Sequence, residues 1–316
     1  MERMRWNDIW PQKGQPVVVA LGCFDGLHQG HRALMRRTEE LAASCGARPV
    51  MISFEPHPTS VLKELTPVRL IYGLEEKEWA LTEKEKQWSL VLLHFEPALS
   101  NMEPEEFVRI ILWQNFGAAG IVIGENFRFG KGNQGNAQTM RSLCAELGIQ
   151  CEVVPQVEDE KGRISSTRVR KCLADGQMEE VNRLLSRPYF MLGSVSHGRG
   201  IGHKALIPTV NLMLSEERQY PAGGVYVTRT YTEQGVYQSV SNIGHNPTVG
   251  EGISLRCETY LLDCSADLYG QKVRVEFYRH LRPEYRFTSM EELHKQQMLD
   301  IQNVRAYFAE EKGNES

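Results

Sequence analysis

Glycine and histidine residues concentrate in one short stretch, residues 22–31, which reads GCFDGLHQGH. An apolar run precedes it and an amphipathic segment follows, so the stretch is predicted to join a buried strand to a helix. Glycines let the backbone approach a ligand, the helix start offers N–H groups to an anion, and His28 and His31 are spaced to face one phosphate. Such donors stabilise the charge that develops in phosphoryl or nucleotidyl transfer. We therefore expect electrostatic rather than nucleophilic chemistry at this turn.

A second phosphate-binding segment is predicted at residues 163–170, which read RISSTRVR. Ser166 and Thr167 stand at the start of a short predicted helix, where hydroxyl and N–H groups can contact phosphates. Arg163 and Arg168 can neutralise phosphate charge. The pattern GxxxxGK[ST] does not occur in the chain, so the sequence does not support a P-loop enzyme.

Three side chains of the C-terminal half carry oxygen atoms whose chemistry is relevant below. Thr209 supplies a hydroxyl and Asn211 an amide oxygen, and Mg²⁺ prefers oxygen ligands of this kind. Glu258 lies in a predicted strand, where it shares one face with Tyr260 and Leu262.

Alternating strands and helices must position the first two segments. The predicted strands are residues 17–21, 50–54, 89–93, 120–123 and 151–155. Between them lie helix candidates, one of which presents Phe107, Ile110 and Ile111 on one face after Pro104. The alternation predicts a Rossmann-like α/β domain with a parallel sheet, and ligands at the carboxyl ends of its strands.

The pattern changes after residue 187 to β segments separated by Gly, Pro and Asn clusters. The predicted segments are residues 189–196, 224–231, 236–243, 256–263 and 271–281. Their spacing predicts a small antiparallel β-barrel, and the tail from residue 289 returns to a helical pattern. We therefore predict two domains, residues 1–186 and 187–316.

Composition limits the classes of partner. The chain has 316 residues and a formal charge of −4, which gives no basic excess for nucleic acid or an anionic membrane surface. Its seven cysteines are odd in number and contain no CxxC pair, so neither a disulfide framework nor a zinc site is indicated. Without an apolar stretch of membrane-spanning length, we expect a cytoplasmic protein with small-molecule substrates. The oligomeric state stays open.

The string GCFDGLHQGH resembles the signature of HxGH nucleotidylyltransferases, and in particular of bacterial bifunctional riboflavin kinase/FAD synthetases. SFEPHP (53–58), GENFRFGKGNQGN (124–136) and RISSTRVR (163–170) match that family in the same order. The resemblance implies that His28 and His31 are catalytic. It implies ATP contacts for Gly22, Phe24, Asp25, Gly26, Asn126, Arg163, Ser166 and Thr167. It implies flavin contacts for Phe54, Pro56, Phe127 and Phe129. Many relatives carry Asp where this chain has Asn126.

The C-terminal half resembles the riboflavin kinase module of the same family. The matching strings are SRPYFMLGSVSHGRGIGHKALIPTVNL (186–212), GGVY (223–226), SNIGHNPTV (241–249), CETYLLDCSADLYG (257–270) and LRPEYRF (281–287). The resemblance implies that Glu258 is a catalytic base, that Thr209 and Asn211 hold Mg²⁺, and that Arg282 contacts flavin. It also implies two reactions with Mg²⁺ and ATP, in which riboflavin gives FMN and FMN then gives FAD and pyrophosphate.

One stretch departs from the family pattern. The family usually reads GRxLGFPTAN, whereas residues 202–211 read GHKALIPTVN, with His203 and Leu206 replacing Arg and Gly. A weakened kinase or a changed nucleotide preference is therefore open, as is a monofunctional FAD synthetase with an impaired barrel. A flavin-responsive binding protein without catalysis and an adenylyltransferase for another small molecule are the other hypotheses.

Overall fold

Apolar runs of the N-terminal half form one parallel sheet, which confirms the α/β architecture expected there. The computed structural model describes residues 1–10, 14–62, 68–82, 88–195, 209–247, 253–265 and 268–314. The strands of this sheet are β1 (Glu2–Met4), β2 (Val17–Leu21), β3 (Arg48–Glu55), β4 (Ser89–His94), β5 (Ala118–Gly124) and β6 (Gln150–Val154). They are paired in parallel in the order β1-β4-β3-β2-β5-β6.

Helices cover both faces of this sheet. They are α1 (Gln29–Ser44), α2 (Pro58–Val61), α3 (Leu74–Thr82), α4 (Pro97–Ser100), α5 (Pro104–Glu106) with the π-helix Phe107–Asn115 that continues it, a 3₁₀ turn (Lys131–Asn133), and α6 (Ala137–Leu147). On β2, Val19 packs in one hydrophobic cluster with Ile52, while Val18 packs with Leu41 of α1 in another. Burial on two faces explains why β2 is a continuous apolar run rather than an alternating one.

The buried face of the helix after Pro104 overlaps the predicted one. Phe107 and Ile111 lie in the core, but Ile110 is only half-buried, and Val108 and Leu112 take the remaining buried positions. Residues 107–115 form a π-helix, whose i→i+5 hydrogen bonds give more residues per turn than an α-helix. Its buried side chains, Phe107, Val108, Ile111 and Leu112, form one face.

Strand β1 is not predicted by the sequence pattern. It has three residues and pairs in parallel with β4, with Met4 opposite Leu93. Met4 is its one buried side chain. A single buried position shows no periodicity, so only the long-range pairing with β4 makes this segment a strand.

The C-terminal half folds into a curled antiparallel sheet with a terminal helix, as expected. Its strands are β9 (Tyr189–Ser194), β10 (Thr209–Met213), β11 (Gly224–Thr232), β12 (Gly235–Pro247), β13 (Ile253–Leu261) and β14 (Lys272–Arg282), after a short hairpin of β7 (Glu158–Asp159) and β8 (Gly162–Arg163). The strand order is β10-β13-β12-β11-β14-β9. The end strands β9 and β10 curl toward each other. Their close approach is seen at Gly193, where a Cβ would lie 2.7 Å from Leu212 Cδ2. The five predicted segments overlap β9 and β11–β14, whereas β10 is not predicted.

The two faces of the curled sheet have different chemistry. On one face, Val227 and Tyr278 pack against Val304 and Phe308 of the terminal helix α9 (Met290–Asn314). On the other face lie buried hydroxyls that hydrogen-bond to one another across the strands. They are Thr228, Thr230, Ser239, Ser241 and Thr259. Within the described ranges, no helix combines the length and apolar character needed to cross a membrane.

The described residues form two compact units. The first unit comprises Met1–Val68 and Lys77–Ser166, and the second comprises Arg69–Glu76 and Thr167–Ser316. The second unit includes most of α7 (Ser166–Ala174) and all of α8 (Met178–Leu185). The domain boundary between residues 186 and 187 stays a prediction.

Asn182 of α8 makes two hydrogen bonds to backbone groups of the second unit. Its Nδ2 donates to the carbonyl of Phe277 at 2.8 Å, and its Oδ1 accepts from the N–H of Tyr189 at 2.8 Å. These bonds join α8 to β14 and β9. Removing the amide would leave a buried carbonyl and a strand-end N–H without this partner.

We predict that Asn182→Ala lowers local stability around β9 and β14 by roughly 1–3 kcal/mol, because unsatisfied polar groups cost about that much. Hydrogen exchange of peptides covering residues 189–194 and 272–282 measures this directly, and both should exchange faster. Asn303→Ala, at an exposed position of α9, is the matched control and should leave exchange unchanged. Unchanged protection in Asn182→Ala would contradict the prediction.

Candidate active sites

The turn between β2 and α1 lies at the centre of the parallel sheet. The chain runs outward from β2 to β3 and β4, and then returns to place β5 on the other side of β2. This reversal is the topological switch point at which α/β sheets bind ligands, at the carboxyl ends of the strands. The turn therefore lies where the sequence predicts the first site.

The backbone of this turn is strained. Phe24 and Leu27 have φ angles of 47° and 49°, a region that side chains other than glycine rarely adopt, and Gly26 lies between them at 85°. Phe24 and Leu27 are both fully buried, so packing holds a conformation that would otherwise relax. Strain of this kind is typical of ligand-binding turns that must keep one shape.

The two histidines predicted to be catalytic lie side by side. His28 is the residue before α1, and His31 donates its backbone N–H to the carbonyl of His28 at 2.8 Å. Their rings stack with centroids 3.8 Å apart and an angle of 22° between the ring planes. Both imidazoles therefore stand at the positive end of α1, where an anion is favoured.

Burial lowers the pKa of His31 well below its ordinary value, and the positive charges of His28 and Lys77 lower it further. His31 is therefore a neutral imidazole near pH 7. Its Nδ1 has no hydrogen-bond partner among the residues that the structure describes. A bound phosphate would provide both a hydrogen-bonding partner and a negative charge that favours the protonated ring.

The second predicted phosphate segment meets this turn. Ser166 Oγ donates to the carbonyl oxygen of Asp25 at 2.8 Å. A Cβ on Gly30 would lie 3.6 Å from the carbonyl oxygen of Ile164, so the two segments also approach at the start of α1. Arg163 is exposed, which leaves its charge available to a ligand in solution. Two segments that are distant in sequence thus form one site in the first unit.

Lys77 is a member of this site that the sequence does not indicate. It lies in α3, is 5% exposed, and donates from Nζ to the carbonyl of Cys23 at 3.0 Å and to Ser53 Oγ at 3.2 Å. Its sequence context, LEEKEWALTEKEK, is typical of a solvated helix. No local pattern marks Lys77 as buried, because burial depends on where α3 packs.

The predicted flavin residues lie at the carboxyl end of β3 and beyond that of β5. Phe54 and Phe127 are partly buried, and both pack against the hydrophobic cluster that contains Phe129. Phe127 stacks on Phe129 with ring centroids 5.8 Å apart. Pro56 is exposed after a cis peptide bond, and Asn126 is exposed next to Phe127. An aromatic surface therefore follows the same sheet edge as the turn.

Strand register aligns the predicted site residues of the second unit in one row. Asn211 pairs opposite Glu258, and Glu258 pairs opposite Asn242. Asn242 pairs opposite Val225, which in turn pairs opposite Arg282. Residues directly opposite on paired strands project from the same face, so the predicted metal ligand, base and flavin residue share a face.

A cleft of about 350 Å³ opens along this row. Its walls include Asn242, Glu258, Tyr260, Arg282, Tyr285 and Asp300. Arg282 is held by both carboxylate oxygens of Asp300, at 3.1 and 2.8 Å, and Asp300 is 3% exposed. The guanidinium also lies 4.7 Å from the ring centroid of Tyr285. The sequence gives no signal for Asp300, which α9 brings to the cleft.

The residues of this row fit a magnesium nucleotide. Asn211 is buried in β10 opposite the exposed Glu258, so an amide oxygen and a carboxylate stand together, and Thr209 begins the same strand. The described residues contain no cluster of three His, Cys, Asp or Glu side chains that would hold a metal ion unaided. A sparse set of oxygen ligands suits Mg²⁺, which keeps several waters and binds through substrate phosphates. His203 and Leu206 lie outside the described residues.

Comparisons with known proteins find matches to both halves of the chain. The family model for FAD synthetase matches residues 11–168, and the model for riboflavin kinase matches residues 185–308. A bifunctional riboflavin kinase/FMN adenylyltransferase of Listeria monocytogenes is 30% identical over 96% of this chain and 94% of its own length. The protein of the same name from Pseudomonas fluorescens is 32% identical over 92% and 93%.

A solved structure also matches along the chain. The crystal structure of a macrolide-efflux protein from Streptococcus pneumoniae has a TM-score of 0.85 and 30% identity, and the match covers 96% of this chain and 99% of that one. Matches of both family models, with relatives aligned over nearly the whole length, show that the chain belongs to the family of bifunctional riboflavin kinase/FMN adenylyltransferases.

Proposed function

We propose that the first unit adenylylates FMN at the turn that carries His28 and His31, and that the second unit phosphorylates riboflavin at the cleft beside Glu258. One observation carries the assignment: within each unit, residues predicted from separate stretches of sequence lie together. Ser166 bonds to Asp25 in the first unit, and register aligns Asn211, Glu258 and Arg282 in the second. ATP and Mg²⁺ serve both reactions.

Adenylyl transfer at the first site needs charge stabilisation rather than a base. A phosphate oxygen of FMN attacks the α-phosphorus of ATP, and pyrophosphate leaves. His28 and His31 contact the phosphates at the start of α1, where backbone N–H groups also point at an anion. Exposed Arg163 adds positive charge from the adjacent segment.

The rest of the predicted first site holds the two substrates. The backbone at Gly22 and the Phe24–Gly26 segment approach the nucleotide, while Asn126 adds a polar contact. Phe54, Pro56, Phe127 and Phe129 form an apolar surface for the flavin ring, because flat aromatic ligands bind through stacking and apolar contact.

Phosphoryl transfer at the second site needs a base, since the nucleophile is a hydroxyl. Glu258 accepts the proton of the ribityl hydroxyl as its oxygen attacks the γ-phosphorus of ATP, and ADP leaves. Asn211 and Thr209 would hold Mg²⁺, which would offset the charge of the ATP phosphates. Arg282, fixed by Asp300, forms part of the flavin-binding wall of the cleft.

A bifunctional enzyme is favoured over a monofunctional FAD synthetase. The riboflavin kinase family model covers residues 185–308, and the row with Glu258 is intact despite the changes at residues 203 and 206. The same match disfavours an adenylyltransferase for an unrelated substrate. A flavin-responsive binder without catalysis would have no use for a carboxylate opposite a metal-binding amide.

We further propose that residues 1–186 and 187–316 are the adenylyltransferase and kinase domains, and that the enzyme works in the cytoplasm. None of the seven cysteines, all of which lie in the described ranges, forms a disulfide, which suits a reducing compartment. The partners are riboflavin, FMN and ATP, with no role for nucleic acid or a membrane.

Incubation with riboflavin, ATP and Mg²⁺ tests the bifunctional assignment. We expect FMN to form first and FAD to follow, when flavins are separated by chromatography over time. A parallel reaction that starts from FMN should give FAD and pyrophosphate directly. FAD from FMN with no product from riboflavin would restore the monofunctional alternative.

We predict that His28→Ala lowers the rate of FAD formation from FMN by about 10²–10³-fold, because one charge-stabilising donor is lost. Riboflavin phosphorylation by the same preparation should stay within about twofold of the wild-type rate, as expected for an independent site. Equal loss of both activities in a folded protein would contradict the assignment of His28 to one site.

The converse change is Glu258→Gln, which keeps the side-chain size but removes the base. We predict that riboflavin phosphorylation falls by about 10²–10⁴-fold, the usual contribution of general base catalysis, while FAD formation from FMN is retained. Glu233→Gln, at an exposed turn of the second unit, is the matched control and should leave both rates unchanged. Wild-type kinase activity in Glu258→Gln would assign the base elsewhere.

A further inference from the structure

Lys77 has an unusual environment for a lysine. Its ammonium group and Ser53 Oγ both donate to the carbonyl of Cys23, at 3.0 and 2.9 Å, and Nζ also donates to Ser53 Oγ at 3.2 Å. The three groups form a closed triangle that joins α3, the end of β3 and the start of the turn. Ser53 is fully buried and Lys77 is 5% exposed.

Burying this ammonium is costly. Desolvation lowers the pKa of Lys77, and the nearby Asp25, Cys23 and Glu55 oppose that effect only in part. A methionine would fill a similar volume without the desolvation penalty, because isosteric apolar groups often replace buried charges without loss of stability. Packing alone therefore does not account for a charged group here.

The carbonyl that Lys77 fixes belongs to the peptide that enters the strained part of the turn. The next residue is Phe24, with φ of 47°. The ring of Phe24 lies 5.2 Å from the ring of His31, and His31 stacks on His28. Phe24 therefore connects the Cys23 peptide to the rings of both histidines.

We propose that Lys77 is a positioning residue for adenylyl transfer: it locks the Cys23 carbonyl, and with it the strained turn, in the conformation that presents His28 and His31 to ATP. This inference rests on the proposed role of the two histidines. The proposal adds Lys77, which contacts the turn from α3, to the residues on which adenylyl transfer depends.

The charge of Lys77 has a second effect on the same site. His31 faces His28 at the start of α1, Phe24 in the turn, and Lys77 on α3, with Asp25 next to Lys77. The positive charges of His28 and Lys77 both lower the pKa of His31. Removing the charge of Lys77 therefore raises the pH at which His31 loses its proton.

The test compares Lys77→Met with the wild-type enzyme in FAD formation from FMN. We expect kcat to fall by about 30-fold or more, since a displaced catalytic group costs up to about 10²-fold. The KM for ATP should change less than kcat. Histidine NMR titration of the ligand-free protein should show the pKa of His31 moving upward. Lys272→Met, at an exposed lysine of the second unit, is the matched control and should change none of these values.

Folding is checked separately, because a buried substitution can destabilise the protein. All five tryptophans lie in the first unit, so tryptophan fluorescence follows its unfolding. Ser53→Ala is a second variant that removes one hydrogen-bond partner of Lys77 while keeping the charge. It should lower kcat by about 3–10-fold, the value of one hydrogen bond, and leave the His31 titration in place.

Two results would overturn the proposal. Wild-type kcat in folded Lys77→Met, or in Ser53→Ala if Lys77→Met does not fold, would overturn it. A rise in the KM for ATP with kcat unchanged would also overturn it, since Lys77 would then be a substrate contact. Failure of the proposed function is distinguishable, because His28→Ala would then retain FAD formation whatever Lys77→Met does.

Discussion

Burial of β2 on both faces is the constraint on which the first site depends. Val18 and Val19 face opposite hydrophobic clusters, so this strand cannot shift or rotate without exposing one of them. Leu41 packs α1 back onto the same strand, which fixes the position of the helix start. The turn joins the end of this packed strand to the start of this packed helix. To do so it adopts positive φ angles at Phe24 and Leu27. The core thus supports the strained shape of the phosphate-binding turn.

In the second unit, the register of the strand pairing fixes the position of the site residues. The row from Asn211 through Glu258 to Arg282 crosses five strands, and a slip of one residue in any pairing would send a side chain to the opposite face. The opposite face is filled by buried hydroxyls that bond to one another between strands, for example Ser241 to Thr259 at 2.7 Å. These bonds are lost in a shifted register, so they help to keep the row aligned.

Local sequence predicts what depends on local periodicity. It identifies five of the six strands of the parallel sheet, the antiparallel pattern after residue 187, and the turn with His28 and His31. It misses features that depend on distant packing. The run that contains Lys77 has the composition of a solvated helix, and β1 becomes a strand only through its pairing with β4. Asp300 lies in the terminal helix, far in sequence from the Arg282 that it binds. Residue types in the sequence indicate the chemistry of each site. The contacts that support the site residues can be found only once the fold is known.

The two sites use one nucleotide in different ways because their nucleophiles differ. The phosphate of FMN is already ionised near pH 7, since its second pKa is about 6, so attack on the α-phosphorus needs no proton acceptor. The imidazoles and the helix start of the first unit supply hydrogen-bond donors, and its exposed arginine supplies positive charge, which suits that reaction. A ribityl hydroxyl is not ionised at this pH and must lose a proton as it attacks. A carboxylate on a strand face, beside a metal-binding amide, meets that need. The residue types at each site therefore follow from the protonation state of the group that attacks ATP there.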